Sequence, residues 1–245
     1  MLDVHPAHRA ATTWRDFFIH IATIVIGLLI AIGLEQAVEF FHHRHEAEHA
    51  REMLAAEMAI NDHIQQQDLQ ILAMHEDYLF QDLGVIQHLR SHSLLPADRI
   101  VLFRPGLPLK DSAWLTAQQS GALALLPYGD IQRYAYLYAI QGDFNKTDDD
   151  SRTELQNANT MFYRSAADRF DYKHGYSATD FAGEKGIAIA HQAFEDQSPD
   201  AEKLNRLTPA QIDRLEQTIQ QAIFQDEHLI NRCKWLHDGY RQFEH

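Results

Sequence analysis

A single cysteine, Cys233, stands in 245 residues, which excludes an internal disulfide framework and is compatible with either redox compartment. Proline and glycine are sparse, 7 and 11. Most of the prolines fall in two short zones, Pro96 to Pro108 and Pro199 to Pro209, so long stretches are free of helix breakers. Positive charge is also short: 21 Lys and Arg stand against 35 Asp and Glu, a formal charge of −14. That balance argues against nucleic acid or an anionic lipid as partner, since both select for clustered Lys and Arg. There is no nucleophile elbow, phosphate loop, paired-cysteine metal site or HExxH sequence. An enzyme is not expected on that ground, although catalytic residues can converge from distant segments without a local motif.

What the chain does have is one uninterrupted apolar run, Phe17 to Leu34 (FFIHIATIVIGLLIAIGL), in which His20 and Thr23 are the only polar side chains. As a helix the run covers about 27 Å, and its continuation to Val38 adds about one turn, enough for a hydrocarbon core about 30 Å thick. The expectation is a transmembrane helix over 17–38, after a short tail of 1–16 and before an acidic α-helical domain of 39–245. The alternative is a cleavable secretory signal, with Ala31-Ile32-Gly33 offering small residues to a peptidase. The run exceeds the usual h-region of about 7–15 residues and enters Glu35 to Phe41 without a breaker, which favours a retained anchor. Trp14 and Phe40-Phe41 lie where aromatic rings favour the headgroup zone.

Arg9 and Arg15 before the span are balanced by Arg44 and Arg51 after it, so the positive-inside rule is nearly silent. A first span near the N-terminus commonly acts as a signal-anchor, and long domains translocate largely regardless of charge. The expected topology is therefore single-pass in a bacterial inner membrane, N-terminus cytoplasmic and domain extracytoplasmic. Thr23, Gly27 and Ala31 form a small-xxx-small row that continues to Glu35 at the membrane exit. Such a row lets a second helix approach closely, and so is a candidate contact with another copy of the chain or another membrane protein. His20, by its depth, is expected to snorkel to the near interface.

From Glu35 to about Ser91 there is no proline and only Gly84, and apolar residues recur at Ile64, Ile71-Leu72, Tyr78-Leu79 and Val85-Ile86. This is an amphipathic helix, expected to continue the span as one rod. Thr208-Pro209-Ala210-Gln211 supplies an N-cap, a first-turn proline and a capping-box glutamine. A heptad seam follows through Ile212, Leu215, Ile219, Ala222, Asp226, Leu229, Cys233, Leu236, Tyr240 and Phe243, with Asp226 its one interruption. The fold class expected is mainly α: a transmembrane helix continuing into an antiparallel helical bundle. Between the two long helices, Arg99 to Arg104 is a short strand or an extended connection. Trp114 to Ser120 is a short helix capped by Asp111 or Ser112, and another helix runs from about Gly129 to Gln141. Leu155, Ala158, Phe162, Ala166 and Phe170 place a further helix that Gly175 can stop. Residues 176–206 suggest a helix broken around Gly183 and Gly186.

Two stretches resemble a family of uncharacterised bacterial single-pass membrane proteins. The first is Trp14-Arg15-Asp16-Phe17-Phe18 leading into Ile26-Gly27-Leu28-Leu29-Ile30-Ala31, then a charged helix with Glu57 and Asn61. The second is Ser112-Ala113-Trp114 followed by Ser120 to Tyr128 and by Tyr134 to Tyr138. Together they cover about a third of the chain. The resemblance implies an N-terminal signal-anchor and a helical soluble domain, and carries no activity with it.

Three constellations invite chemistry. His42, His45, Glu46 and His49 sit just beyond the membrane exit, with His45 and His49 on one helical face. They are candidate ligands for a divalent transition metal, zinc or copper, though a solvated juxtamembrane face with Arg44 in it is the simpler account, and no cofactor is expected. Asp143 to Glu154 places oxygen side chains at EF-hand positions 1, 3, 5, 9 and 12. Asp148 stands where that loop needs glycine, so an acidic loop or helix N-terminus is favoured. Tyr128, Tyr134, Tyr136 and Tyr138, with Trp114 and Phe144, line either a groove or, more simply, a core. The function expected is a membrane-anchored interaction or scaffold component, partnered by the bilayer and by itself or another membrane protein. The alternative is a ligand- or metal-sensing bundle signalling through a partner helix, because the thirteen residues ahead of Trp14 are too few for an output domain.

Overall fold

The computed structural model describes residues 14–162, 178–183 and 185–241. Its helices, in chain order, are α1 (Trp14–Leu89), α2 (Ser112–Ser120), a 3-10 turn (Ala122–Leu125), α3 (Tyr128–Asn159), α4 (Ala178–Phe181), α5 (Gly186–Asp196), α6 (Ala201–Leu204) and α7 (Pro209–Tyr240). The protein is mainly α, and among the described residues there is no strand. Arg99 makes one isolated bridge with Asp200, so the segment from Arg99 to Arg104 is the extended connection rather than a strand.

Helix α1 is unbroken for 76 residues, about 110 Å at 1.5 Å per residue. Its N-terminal part is long and apolar enough to cross a membrane, and none of the most apolar window is buried by the rest of the chain. Ile24, Leu28, Leu29, Val38, Phe40 and Phe41 all stand exposed. Burial starts at Ala50, where the same helix enters the bundle. The chain between contains no glycine or proline at which the rod could hinge.

The bundle is built on α1, α3 and α7. Asp62 meets His237, Gln65 meets Cys233 and Arg90 meets Glu216, so α7 runs antiparallel to α1. Glu57 meets Tyr138 and Asn61 meets Gln141, so α3 runs parallel to α1. The heptad seam of α7 is buried residue for residue as its sequence predicts, from Ile212 to Tyr240; Phe243 lies outside the described residues. Thr208 and Gln211 form the reciprocal capping box, with Pro209 in the first turn. Gly239 allows a close α3–α7 crossing, because a Cβ there would meet Leu137 Cδ2 at 2.5 Å.

Two expectations for the middle of the chain are corrected. Helix α3 does not stop near Gln141 but runs to Asn159, so Asp143 to Glu154 is neither a loop nor a helix N-terminus and its oxygens point around the helix rather than converging. Leu155 and Ala158 belong to this same helix, while Ala166, Phe170 and Gly175 lie outside the described residues. Neither Asp111 nor Ser112 caps α2 with its side chain; the cap comes from α1, as described below. The break near Gly183 and Gly186 is present between α4 and α5. A Cβ on Gly186 would lie 1.8 Å from Phe181 O, so only glycine fits there.

The core falls into two apolar clusters. One, nearer the exposed apolar segment, gathers Leu54, Met58, Leu72, Tyr134, Phe144, Leu229 and Leu236. The other gathers Leu79, Ile86, Leu102, Leu155, Leu215 and Ile219. Each fully buried aliphatic or aromatic side chain contributes about 1.5–3 kcal/mol. Where the two clusters meet, the helices present charge to one another instead.

Candidate functional site

On α1 the polar residues Asn61, Asp68, His75 and Asp82 recur every seven residues, and all four are buried. Seven residues is two helical turns, so these side chains form one stripe facing the bundle axis. Helix α3 answers with Gln141 and Asp148, and α7 with Cys233 and Asp226, each seven residues from its neighbour and each buried. The result is a stack of polar layers within an otherwise apolar core.

The layer nearest the apolar segment is neutral and satisfied. Asn61 Nδ2 donates to Gln141 Oε1 at 3.0 Å, and Tyr240 donates to the same oxygen at 2.9 Å. Asn61 also holds the backbone of Lys110 through both its oxygen and its nitrogen. One turn earlier, Glu57 accepts from Ser112 Oγ at 2.6 Å, from Ala113 N at 2.9 Å and from Tyr138 at 2.7 Å. A carboxylate from α1 thus caps α2, where anions complement the helix dipole. Trp114 stacks on Tyr138 with ring centroids 5.1 Å apart. Burial, then the adjacent Glu57 carboxylate, pushes the Tyr138 phenol well up. Glu57, Asn61, Ser112, Ala113, Trp114 and Tyr138 therefore meet in one clamp.

The next two layers are charged. Arg104, from the extended segment that crosses the bundle, has a side chain with no exposed surface. Its Nη1 donates to Asp148 Oδ1 at 2.6 Å, while its Nε lies 3.5 Å from Asp226 Oδ1, an ion pair without a hydrogen bond. Asp148 Oδ2 takes Arg152 Nε at 3.0 Å. Asp226 Oδ2 lies 2.5 Å from His75 Nδ1. Burial alone would favour a neutral guanidinium, but the Asp148 and Asp226 carboxylates outweigh it and hold Arg104 charged.

Asp68 is the exception in this network. Both its carboxyl oxygens are buried without a hydrogen-bond partner. Burial, and after it the Asp148 carboxylate, pushes its carboxyl up to about 8 against the opposing pull of Arg104. At neutral pH the neutral acid is the preferred form, which avoids the cost of a third buried anion around one guanidinium. Cys233 is likewise pushed well up, by burial and then by Asp68, so its thiol is a poor nucleophile.

The His75–Asp226 pair has the geometry of a general base with its orienting carboxylate. Neither side chain is exposed; His75 Nε2 has no partner, and the ring packs 5.5 Å from Phe194. No substrate reaches that nitrogen in this conformation.

The side chains singled out in the sequence are distributed differently. His42, His45, Glu46 and His49 stand exposed on α1. His42 and Glu46 pair at 3.1 Å, and among the described residues no group of three or more His, Cys, Asp or Glu is placed to hold a metal. Thr23, Gly27, Ala31 and Glu35 are exposed on one face of α1. Thr23 donates to Ile19 O at 2.8 Å within its own helix, and the space beside Gly27 is open. Tyr134, Tyr138 and Phe144 are buried in the core, while Tyr128 and Tyr136 face outward, so these aromatics line no common groove.

The buried network was not foreseen. Its signal was present in the seven-residue spacing of Asn61, Asp68, His75 and Asp82 and in Asp226 on an otherwise apolar seam. No family model, curated protein or solved structure matches the chain.

Proposed function

We propose that the protein is a membrane-anchored interaction component, an accessory or self-associating part of a membrane assembly that works by association rather than catalysis. The observation that carries this reading is the continuity of α1 from Trp14 to Leu89. One helix supplies both an apolar segment that the chain leaves uncovered and a wall of the bundle. A partner helix packed on Thr23, Gly27 and Ala31 would therefore be mechanically joined to the domain without a linker. In this reading the helix crosses a bacterial inner membrane with its N-terminus in the cytoplasm and the domain outside, as in the single-pass family that the chain resembles. The bilayer and a second copy or another membrane protein are its partners; nucleic acid is not.

Copurification of the full chain from native membrane, followed by mass spectrometry, tests the reading. Recovery of a stoichiometric membrane partner, or of a self-complex, is expected; a monomer under mild extraction overturns it. A reporter fused after His245 tests the sidedness, and a cytoplasmic signal would reverse it.

A second reading, an extracytoplasmic sensing domain that signals through a partner helix, is favoured by one specific observation. The charged layers around Asp68 and Arg104 link α1 to α3 and α7 through groups whose charge can change. A sensor needs groups whose charge can switch, and a scaffold does not.

A further inference from the structure

The last member of the polar stripe on α1, Asp82, has no charged partner in the core. It lies instead at a cleft of about 500 Å³ bounded by α1, the crossing segment and the C-terminal end of α5. Asp82 is 3% exposed. Its Oδ2 accepts from Val101 N at 2.7 Å, and its Oδ1 has no hydrogen-bond partner among the described residues. Burial holds this carboxyl well above its ordinary range, against the opposing Val101 N–H.

The rest of the cleft favours positive charge. Glu195 lines it from α5 and Asp98 from the crossing segment. The C-terminal end of α5 adds the negative pole of a helix dipole. Arg99, the one basic side chain in the lining, shows what that rim attracts: its Nη1 donates to Glu195 O at 3.4 Å. The aromatic wall is the half-buried ring of Tyr78, set by an edge-to-face contact at 5.5 Å with the fully buried Phe194 and by a 2.8 Å hydrogen bond to His191. An aromatic ring beside carboxylates suits an ammonium on a short hydrocarbon.

We propose that this cleft binds a small organic cation, a primary amine with a short apolar body, with Asp82 and Glu195 as its anionic contacts and Tyr78 and Val85 against its hydrocarbon. The proposal rests on the sensing reading for its biological use, but not for its chemistry. The groups that face Asp82 are Tyr78 on α1, Asp98 and Arg99 on the crossing segment, and His191 and Glu195 on α5. Burial holds the Asp82 carboxyl above its ordinary range, so an arriving ammonium favours its ionised form and binding releases protons to solvent. Affinity therefore rises with pH.

Isothermal titration of the full chain in a nonionic detergent with n-butylamine and with putrescine tests this, with butyrate as the anionic control. Two buffers of different ionisation enthalpy report the proton. One site is expected for the amines, with net proton release and no heat from butyrate. Asp82→Asn keeps an acceptor for Val101 N–H and should abolish the proton release. Glu195→Gln, on the surface, should weaken binding several-fold without touching the fold. His191→Gln should leave the proton release in place, which assigns it to Asp82. No amine binding, equal binding of butyrate, or proton release that persists in Asp82→Asn overturns the proposal. If the amine binds while crosslinking of the chain to its membrane partner is unchanged, the cleft stands and the sensing reading falls.

Discussion

His75 and Asp226 face one another across the antiparallel α1–α7 interface with Nδ1 and Oδ2 2.5 Å apart and neither side chain exposed. Asp226 Oδ1 is turned to Arg104 at 3.5 Å, so one carboxylate joins two helices to the crossing segment. Removing it leaves the buried His75 imidazole without its partner and Arg104 with Asp148 alone. Asp226→Ala is expected to cost about 3–5 kcal/mol of stability, the range for breaking a buried pair on one side. Denaturant unfolding of the full chain in detergent measures it. A double-mutant cycle with His75→Leu should give a coupling energy of about 1–3 kcal/mol; strict additivity would mean that the pair does not act as a unit.

Asp68 makes stability depend on pH in an unusual direction. In the unfolded chain its carboxyl titrates near 3.9, whereas in the fold it is pushed up to about 8. Folding therefore takes up a proton between those values. Its contribution is complete below the unfolded pKa and is lost as pH rises through the folded one, at about 1.4 kcal/mol per unit in between. Midpoints of urea unfolding measured from pH 5 to pH 8 should fall. Asp68→Asn should reduce that slope by about one proton's worth and leave the variant more stable than wild type at pH 8. A slope unchanged by the substitution would place the titrating group elsewhere, with Asp82 next in line because its shift has the same sign.

The Glu57 clamp predicts a local effect. Glu57→Ala leaves Ser112 Oγ, the Ala113 amide and the buried Tyr138 hydroxyl without their acceptor. A lost cap and an orphaned buried donor together cost about 2–4 kcal/mol. Hydrogen exchange should show the first turn of α2 opening, and Trp114 fluorescence should shift as its stacking on Tyr138 loosens. Tyr138→Phe, which removes one bond and keeps the stack, should cost about 1 kcal/mol and leave α2 protected.

How much of this was legible depended on whether a residue's role was local. The α7 seam was readable to the residue because cap, proline and heptad are all written within one helix. The apolar positions of α1 were equally readable. Its polar stripe was not, because Asp68 and His75 count as surface residues until Asp148, Asp226 and Arg104 from other segments meet them. The oxygen-rich stretch Asp143 to Glu154 read as a loop or a helix N-terminus beyond Gln141, yet of its acidic run only Asp148 is buried, and a long helix tolerates Asp149 and Asp150 on its outer face. The crossing segment had no readable structure for a further reason. Its backbone is held by side chains rather than by a strand: Asn205 holds both polar atoms of Leu94, Asp82 the amide of Val101, and Asn145 both polar atoms of Leu109. Such bonds pin the backbone at particular residues as ladder bonds would, and leave no periodicity.

The exposed face of the apolar segment yields the last prediction. Gly27 has nothing within 4 Å of where a Cβ would stand, and the same is true of Gly33. A β-branched side chain is therefore tolerated at either position by the chain itself. The two glycines lie on different faces, six residues apart, and only Gly27 is in the row with Thr23 and Ala31. If a second helix packs on that row, Gly27→Ile pushes its backbone outward and forfeits close contact, while Gly33→Ile does not. Crosslinking in native membrane should show partner or self-capture reduced several-fold by Gly27→Ile and unchanged by Gly33→Ile. Equal effects would assign the loss to the bilayer or the helix in general, and no effect of either would remove the Thr23-Gly27-Ala31 face from the interface.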